Sequence, residues 1–445
     1  MDTITSRNEN KNKSKIKNRN AGKSLIRTEP HPSAPTNLIK PDSTWKRRAS
    51  TTAIARFMIF IVFFAGVMAS SVWAIPAFAR KYSQSCKTCH SPFPKLKPYG
   101  EEFAGDGFII KDQDAPRSRI ETGDRLLTLL RDFPIALKFE GFMLYNNSNT
   151  RRLDFTAPYL IKVLSGAEIA KNVSYYLYFF LSERGEIAGL EDAFVMFNDF
   201  FRTGIDLYVG QFQVSDPLFK RELRLPFEDY MIYRAAPGES RAKLTYDRGL
   251  MLTYGLPTGT DLTFEILNGT GIEEANVFRI FDDDKYKNFM IHLSQEIVPE
   301  ARAGLFGYCG REMPVDGLGE SLNKVWMLGA DASFILPKLE FNLQWVERRD
   351  ANPYFVGIEP EEKVRTRGGF AEVIFMPKGD DSRLYYAALF NLVESDQPDL
   401  RYTAATLHGG YLLRRNMRLM LEATWVFRGP DEKHLRLGAG LSTAF

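Results

Sequence analysis

The sequence predicts a mainly β fold: an antiparallel outer-membrane β-barrel of about 16 strands, preceded by a small N-terminal plug. Three observations predict it. From Pro134 to the C-terminus the chain breaks into short segments in which apolar and polar residues alternate, the pattern of a strand with two unlike faces. Tight turns alternate with mostly longer links, the rhythm of short periplasmic turns and long external loops on an even-stranded barrel. The chain also ends on a strand with Leu437, Leu441 and terminal Phe445 on one parity, similar to the assembly signal of outer-membrane barrels.

Bulk composition neither supports nor opposes this. A transmembrane helix needs roughly 20 consecutive apolar residues, and no such run follows residue 75. A barrel strand needs only about 9–11 residues, alternate ones facing lipid. The 34 Phe and 19 Tyr suit aromatic girdles at the membrane interfaces. Three cysteines are too few for a disulfide framework. The formal charge of +3 is a mixture: residues 1–74 hold 13 Lys/Arg against 4 Asp/Glu, which leaves −6 for the rest. Nothing in that remainder suggests nucleic-acid binding.

Residues 1–74 read as a leader and export signal. Residues 1–50 are rich in Asn, Lys, Ser and Pro, without apolar periodicity, which is the composition of disorder. Lys46, Arg47, Arg48 and Arg56 precede an apolar stretch from Phe57 to Val67, and Val72-Trp73-Ala74 offers a cleavage site before Ile75. Basic, apolar, small is the order of a secretory signal. An uncleaved anchor over Phe57 to Ala74 is the alternative.

Residues 75–122 carry the chemistry. Cys86-Lys87-Thr88-Cys89-His90 places two thiols to add to the vinyl groups of one haem, with His90 beneath the iron as proximal ligand. That expectation is one covalent haem c. A Cys86–Cys89 disulfide or half a zinc site are the alternatives. Zinc would need two further ligands, yet no other Cys or His occurs between residues 32 and 291. Cys309 reads as a small apolar residue on a strand.

Ala77-Phe78-Ala79-Arg80 before the Cys pair, and Pro94-x-Leu96-x-x-Tyr99-Gly100-x-x-Phe103 after His90, resemble the porin-fused monohaem cytochromes of bacterial outer membranes. The best-known members are the iron-oxidising cytochromes of acidophilic and neutrophilic Fe(II) oxidisers. The resemblance is tightest over residues 75–108. It thins along the barrel to echoes such as Val209-Gly210-Gln211-Phe212 and Gly368-Gly369-Phe370-Ala371-Glu372. It implies electron transfer across the outer membrane, with extracellular Fe(II) as donor and a periplasmic cytochrome or similar carrier as acceptor. A solute porin with a structural haem, or an exporter of electrons, would use the same parts.

After a linker at 123–133, residues 134–445 form the barrel. Arg125 to Leu130 is amphipathic and is expected as a short helix joining plug to first strand. Strands are expected to start near residues 134, 156, 173, 188, 204, 241, 260, 287, 301, 323, 338, 366, 382, 401, 416 and 434. Leu339, Phe341, Leu343 and Trp345 share one face, and Lys338, Glu340, Asn342, Gln344 and Arg348 the other. Leu419, Leu421, Ala423, Trp425 and Phe427 alternate likewise with Arg418, Met420, Glu422 and Thr424. The longest link, roughly 213–241, resembles in position a constriction loop folded into a porin lumen. Its Arg221 and Arg224 are candidates for haem propionates or for lumen carboxylates. Asp282, Asp283 and Asp284 on an outer loop read as solvated acidic surface rather than a metal site.

An even strand count puts both barrel ends on the periplasmic side, so residues 75–122 enter from there. They are too few to bury a haem alone, and a barrel this size would leak. A plug in the lumen answers both. One haem cannot span a 25 Å apolar band, hence the periplasmic carrier. Between Ile75 and Phe142 there is no Met, and no His but His90, so the segment lacks the usual sixth ligand. Parity points Met290, His292, Ser294 and Glu296 inward, along with His408, Met251 and Met327, and turns Met143 to lipid. His292 and His408 are the candidate sixth ligands from the wall, against a Met or an open site.

Overall fold

Every period-2 segment from residue 135 onward is a strand, and sixteen of them close into one antiparallel barrel. The computed structural model describes residues 77–110, 119–120, 129–130 and 134–445, apart from loop stretches at 149–151, 184–185, 188, 216–222, 224, 315–320, 358–362 and 431–432. The leader and export signal, and Arg221 and Arg224, lie outside the described residues. A two-residue ribbon, β1 (Arg119–Ile120) with β2 (Leu129–Leu130), precedes the barrel. The helix expected over Arg125 to Leu130 is corrected at its described end: Leu129 and Leu130 satisfy their backbone groups across the ribbon instead.

The first barrel strands are β3 (Ile135–Asn146), β4 (Leu153–Ala170), β5 (Val173–Glu183), β6 (Gly189–Phe197) and β7 (Ile205–Gln213). Next come β8 (Tyr246–Gly255), β9 (Thr260–Leu267), β10 (Asn288–Val298), β11 (Ala301–Glu312), β12 (Asn323–Ile335) and β13 (Leu339–Asp350). The last are β14 (Val364–Phe375), β15 (Leu384–Ser395), β16 (Tyr402–Arg414), β17 (Met417–Arg428) and β18 (His434–Ala444). Each pairs with its sequence neighbour, and β18 pairs with β3 to remove the last edge. At that seam Phe445 and Leu137 exchange both backbone hydrogen bonds.

Parity decides what faces where. On β13, Phe341, Leu343 and Trp345 are exposed while Glu340, Asn342, Gln344 and Arg348 are buried. On β17, Leu421, Trp425 and Phe427 point out, and Arg418, Met420, Glu422 and Thr424 point in. Soluble proteins do not expose an apolar belt of this extent. Lipid solvates it, and closure leaves no unpaired backbone for lipid to meet. Among the described residues no helix is long and apolar enough to cross a membrane; the strands do the crossing.

The short turns, such as 171–172, 256–259 and 415–416, share one end with residues 135 and 445, which we call the turn end. The long links share the other. The link at 214–245 instead enters the lumen, where Val214, Leu223, Tyr230, Ile232, Tyr233 and Leu244 pack against wall residues that include Met251, Met290, Met327 and Phe370. Buried Arg348 pins it, donating to the carbonyls of Ala235 (3.0 Å) and Ala242 (2.6 Å) and to Ser240 Oγ (2.6 Å), with Asp350 balancing the charge at 2.7 Å. β8 therefore starts at Tyr246 rather than 241: Glu312 accepts from the backbone of Arg241 and Ala242 and holds them inside.

Candidate functional site

The Cys pair lies on a single helical turn. Helix α2 (Cys86–Cys89) follows α1 (Ala77–Tyr82) and precedes α3 (Pro98–Gly105). Ser85 caps α2, its Oγ accepting from Lys87 N at 3.3 Å. Residues three apart on a helix share a face, so the two thiols stand together. They are free rather than joined to each other. Burial pushes both thiols up, the reverse of the lowered value that marks a redox-active Cys-x-x-Cys pair.

His90 leaves the helix with extended backbone, its N–H still donating to Cys86 O at 2.9 Å. The loop after it turns back, Ser91 N donating to Lys95 O at 3.0 Å. This brings Pro94 O to 2.6 Å from His90 Nδ1. A carbonyl only accepts, so Nδ1 carries the proton and the Nε2 lone pair is left for a metal. Burial holds the imidazole down at about 4, against the carbonyls of Pro94 and Lys95, so the ring is neutral. Phe93 packs edge-on at 4.9 Å.

The two flanking helices make a small core of Phe78, Tyr82, Phe103 and Phe108, in which the Phe78 and Phe108 rings stack 4.9 Å apart. Gly100 lies directly on α2, where a Cβ would collide with the carbonyl oxygen of Cys89. Gly107, at φ +67°, has no room for a Cβ against Ser174 and Asn198.

The barrel supplies the seat at its turn end. Phe108 stacks on Tyr176 of β5 at 5.3 Å and lies over Gly166 of β4. Lys95 pairs with buried Glu340 of β13 at 2.8 Å. Lys97 pairs with Asp380 at 2.5 Å and Lys87 with Asp381, both in the β14–β15 turn. Ser91 Oγ donates to Met376 Sδ at 3.4 Å. Arg418 of β17 donates to Phe93 O at 3.1 Å and to the Tyr385 hydroxyl at 2.9 Å. The sequence placed Glu340 and Arg418 in the lumen by parity, but no local signal ties them to the Cys segment. Met376 carried no signal at all.

The two wall histidines both point inward and are buried. His292 Nε2 lies 2.9 Å from Asp331. His408 lies 3.4 Å from both Glu422 and the Tyr385 hydroxyl. Among the described residues no hydrogen bond or ring contact joins either to His90. Cys309 is on the outward face of β11. Asp282 is paired with Lys287 and Asp283 with Arg241, and among the described residues no group of three His, Cys, Asp or Glu is gathered for a metal ion.

Beside the lumen loop lies a cavity of about 320 Å³. It runs from Lys138 and Glu140, near the turn end, past Lys162, Glu228 and Arg436 to His434 at the loop end. Arg418 Nη2 is 3.8 Å from Glu140, so the same arginine touches the cavity's inner wall residue and the loop behind His90.

No family model and no curated protein matches the chain. Solved outer-membrane proteins match its fold. The outer-membrane channel DcaP of Acinetobacter baumannii is 12% identical over 71% of this chain and 97% of its own, with a TM-score of 0.50. OmpF of Salmonella typhi, solved with daunomycin, is 10% identical over 70% and 97%, with a TM-score of 0.49. OmpT of Vibrio cholerae is 9% identical over 71% and 99%, with a TM-score of 0.47. At such identities the likeness is one of fold. A closed 16-stranded barrel with an apolar outer belt is an architecture of the bacterial outer membrane, and that is where this chain belongs.

Proposed function

We propose that the chain carries electrons across the outer membrane through one haem c seated at the turn end of the barrel. Cys86 and Cys89 would hold the haem by thioethers, and His90 Nε2 would ligate its iron. When bound, such a group supplies a one-electron iron centre whose potential its surroundings tune. The observation that carries this reading is the bond from His90 Nδ1 to Pro94 O, beside two free thiols on one helical face. A ligating histidine is usually fixed by donating its other ring nitrogen in this way. Barrel side chains give the segment the walls it lacks: Phe108 is stacked on Tyr176, Lys95 is bound to Glu340, and Arg418 holds the Phe93 carbonyl. The electron donor we propose is extracellular Fe(II), and the acceptor a periplasmic cytochrome or similar carrier.

The test is haem staining of the denatured protein together with Fe(II) reduction in outer-membrane preparations. Wild type should stain, and Cys86→Ala with Cys89→Ala should not, while the barrel still assembles. Equal staining would move the haem elsewhere. Stained protein that Fe(II) never reduces would remove iron as donor and favour electron export.

A solute channel is the second reading. It is favoured by the cavity of about 320 Å³ beside the lumen loop, and by a fold shared with a protein described as a channel. Diffusion of small solutes through reconstituted protein separates the two.

A further inference from the structure

We propose that Glu372, joined through Asn342 to the Lys95-bound carboxylate of Glu340, is a proton-binding site whose occupancy follows the redox state of the group held by Cys86, Cys89 and His90. The inference rests on the haem reading above and adds proton coupling to it.

The two carboxylates face the lumen from adjacent strands, β13 and β14, and are 3% and 2% exposed. One amide joins them: Asn342 Nδ2 donates to Glu340 Oε1 at 2.9 Å and to Glu372 Oε2 at 3.2 Å. Lys95 sits on Glu340 at 2.8 Å, and the Tyr230 hydroxyl donates to Glu372 Oε1 at 2.9 Å. Two buried carboxylates this close do not both ionise cheaply, and one bonded lysine matches one negative charge. One proton on the pair brings its charge to −1, equal and opposite to Lys95.

Asn342 Oδ1 is buried and finds no hydrogen-bond donor among the described residues, so the amide that joins the two acids is itself short of a donor, a costly arrangement in a buried site.

Lys95 links the pair to the site. Lys95 follows Pro94, whose carbonyl holds His90. Loss of one electron adds a positive charge there, which lowers the pair's affinity for its proton. Each electron removed by a one-electron oxidant, ferricyanide in the test, is then accompanied by release of up to one proton from the pair to water. Reduction reverses both transfers. The other charged or titratable groups nearby come from the segment (Lys97, on Asp380), the lumen loop (Tyr233, on Gln344; Glu228, on Asn391) and β17 (Arg418).

The experiment is a spectroelectrochemical titration of the purified full-length haem protein across about pH 4 to 9. The midpoint potential should fall as pH rises through one window. A tenfold change in proton affinity between redox states corresponds to a total fall of about 59 mV. Glu372→Gln should flatten the window. Tyr230→Phe removes a donor to the ionised carboxylate, so it should move the window to higher pH without shrinking it. A flat wild-type profile would overturn the proposal, as would an unchanged window in both Glu372→Gln and Glu340→Gln. Haem staining of the same samples keeps the two ideas apart: unstained wild type defeats the haem reading, whereas stained protein with a flat profile defeats only the proton coupling.

Discussion

Gly100 shows what a single missing methyl does at this site. The sequence offered it only as part of a recognisable pattern; the structure gives its reason, contact between α3 and the Cys89 carbonyl. Gly100→Val should push the two helices apart at an overpacking cost of about 1–3 kcal/mol. With the proposed haem bound, covalent staining should survive and its spectrum should change; an unchanged spectrum would mean that α3 does not shape the site. The thiols and His90 were legible because their spacing is local. Pro94 was legible as a residue, but its role was not, because a main-chain carbonyl leaves no mark in composition. The wall histidines were legible as inward by parity, yet parity says nothing about partners. His292 is engaged by Asp331, and none of the segment's contacts described above is with β9, β10 or β11. His292→Ala should therefore leave the ferrous spectrum as it is, and a shifted spectrum would make it the sixth ligand.

Among elements, the strands were the most readable, because each has one lipid face and one lumen face for its whole length. Expected starts at 173, 260, 301, 323 and 434 coincide with observed ones. The failures have tertiary causes. β8 begins late because Glu312 captures Arg241 and Ala242, and the linker helix gives way to a ribbon. Three lysines of the Cys segment, Lys87, Lys95 and Lys97, act as one element-scale latch of unequal members. Lys95 and Glu340 are shielded, so Lys95→Ala should weaken seating by up to about 3–5 kcal/mol through the unpaired carboxylate. Lys97 and Asp380 are partly exposed, and Lys97→Ala should cost under about 1 kcal/mol. Burial works to raise the Asp380 carboxyl, but Lys97, with Lys87 nearby, holds it below the usual carboxylate value. Its contribution is then present above the unfolded value of about 3.9 and lost as pH falls through the lower folded value. Protease release of the segment should rise only in strong acid, and should rise far more for Lys95→Ala than for Lys97→Ala at neutral pH. Equal sensitivity would mean that the shielded pair is not the main fastening.

At the scale of the whole molecule the barrel and its strand number were legible, whereas the filling of its interior was not. The lumen loop's apolar packing and the seat for the Cys segment join residues far apart in sequence, as Lys95 and Glu340 do. Deleting residues 75–122 while keeping the signal should raise single-channel conductance several-fold. Equal conductance would show that the segment does not close the turn end. The seat has one further consequence. Gly166 and Tyr176 belong to strands just after the β18–β3 seam, whereas Glu340 and Arg418 belong to strands before it, and Asp380 and Asp381 to the β14–β15 turn. An unclosed sheet thus presents two separated half-seats, neither with the full set of contacts. The segment finds its full set of contacts only on a barrel whose first and last strands have met, so closing the seam and completing the seat are one event.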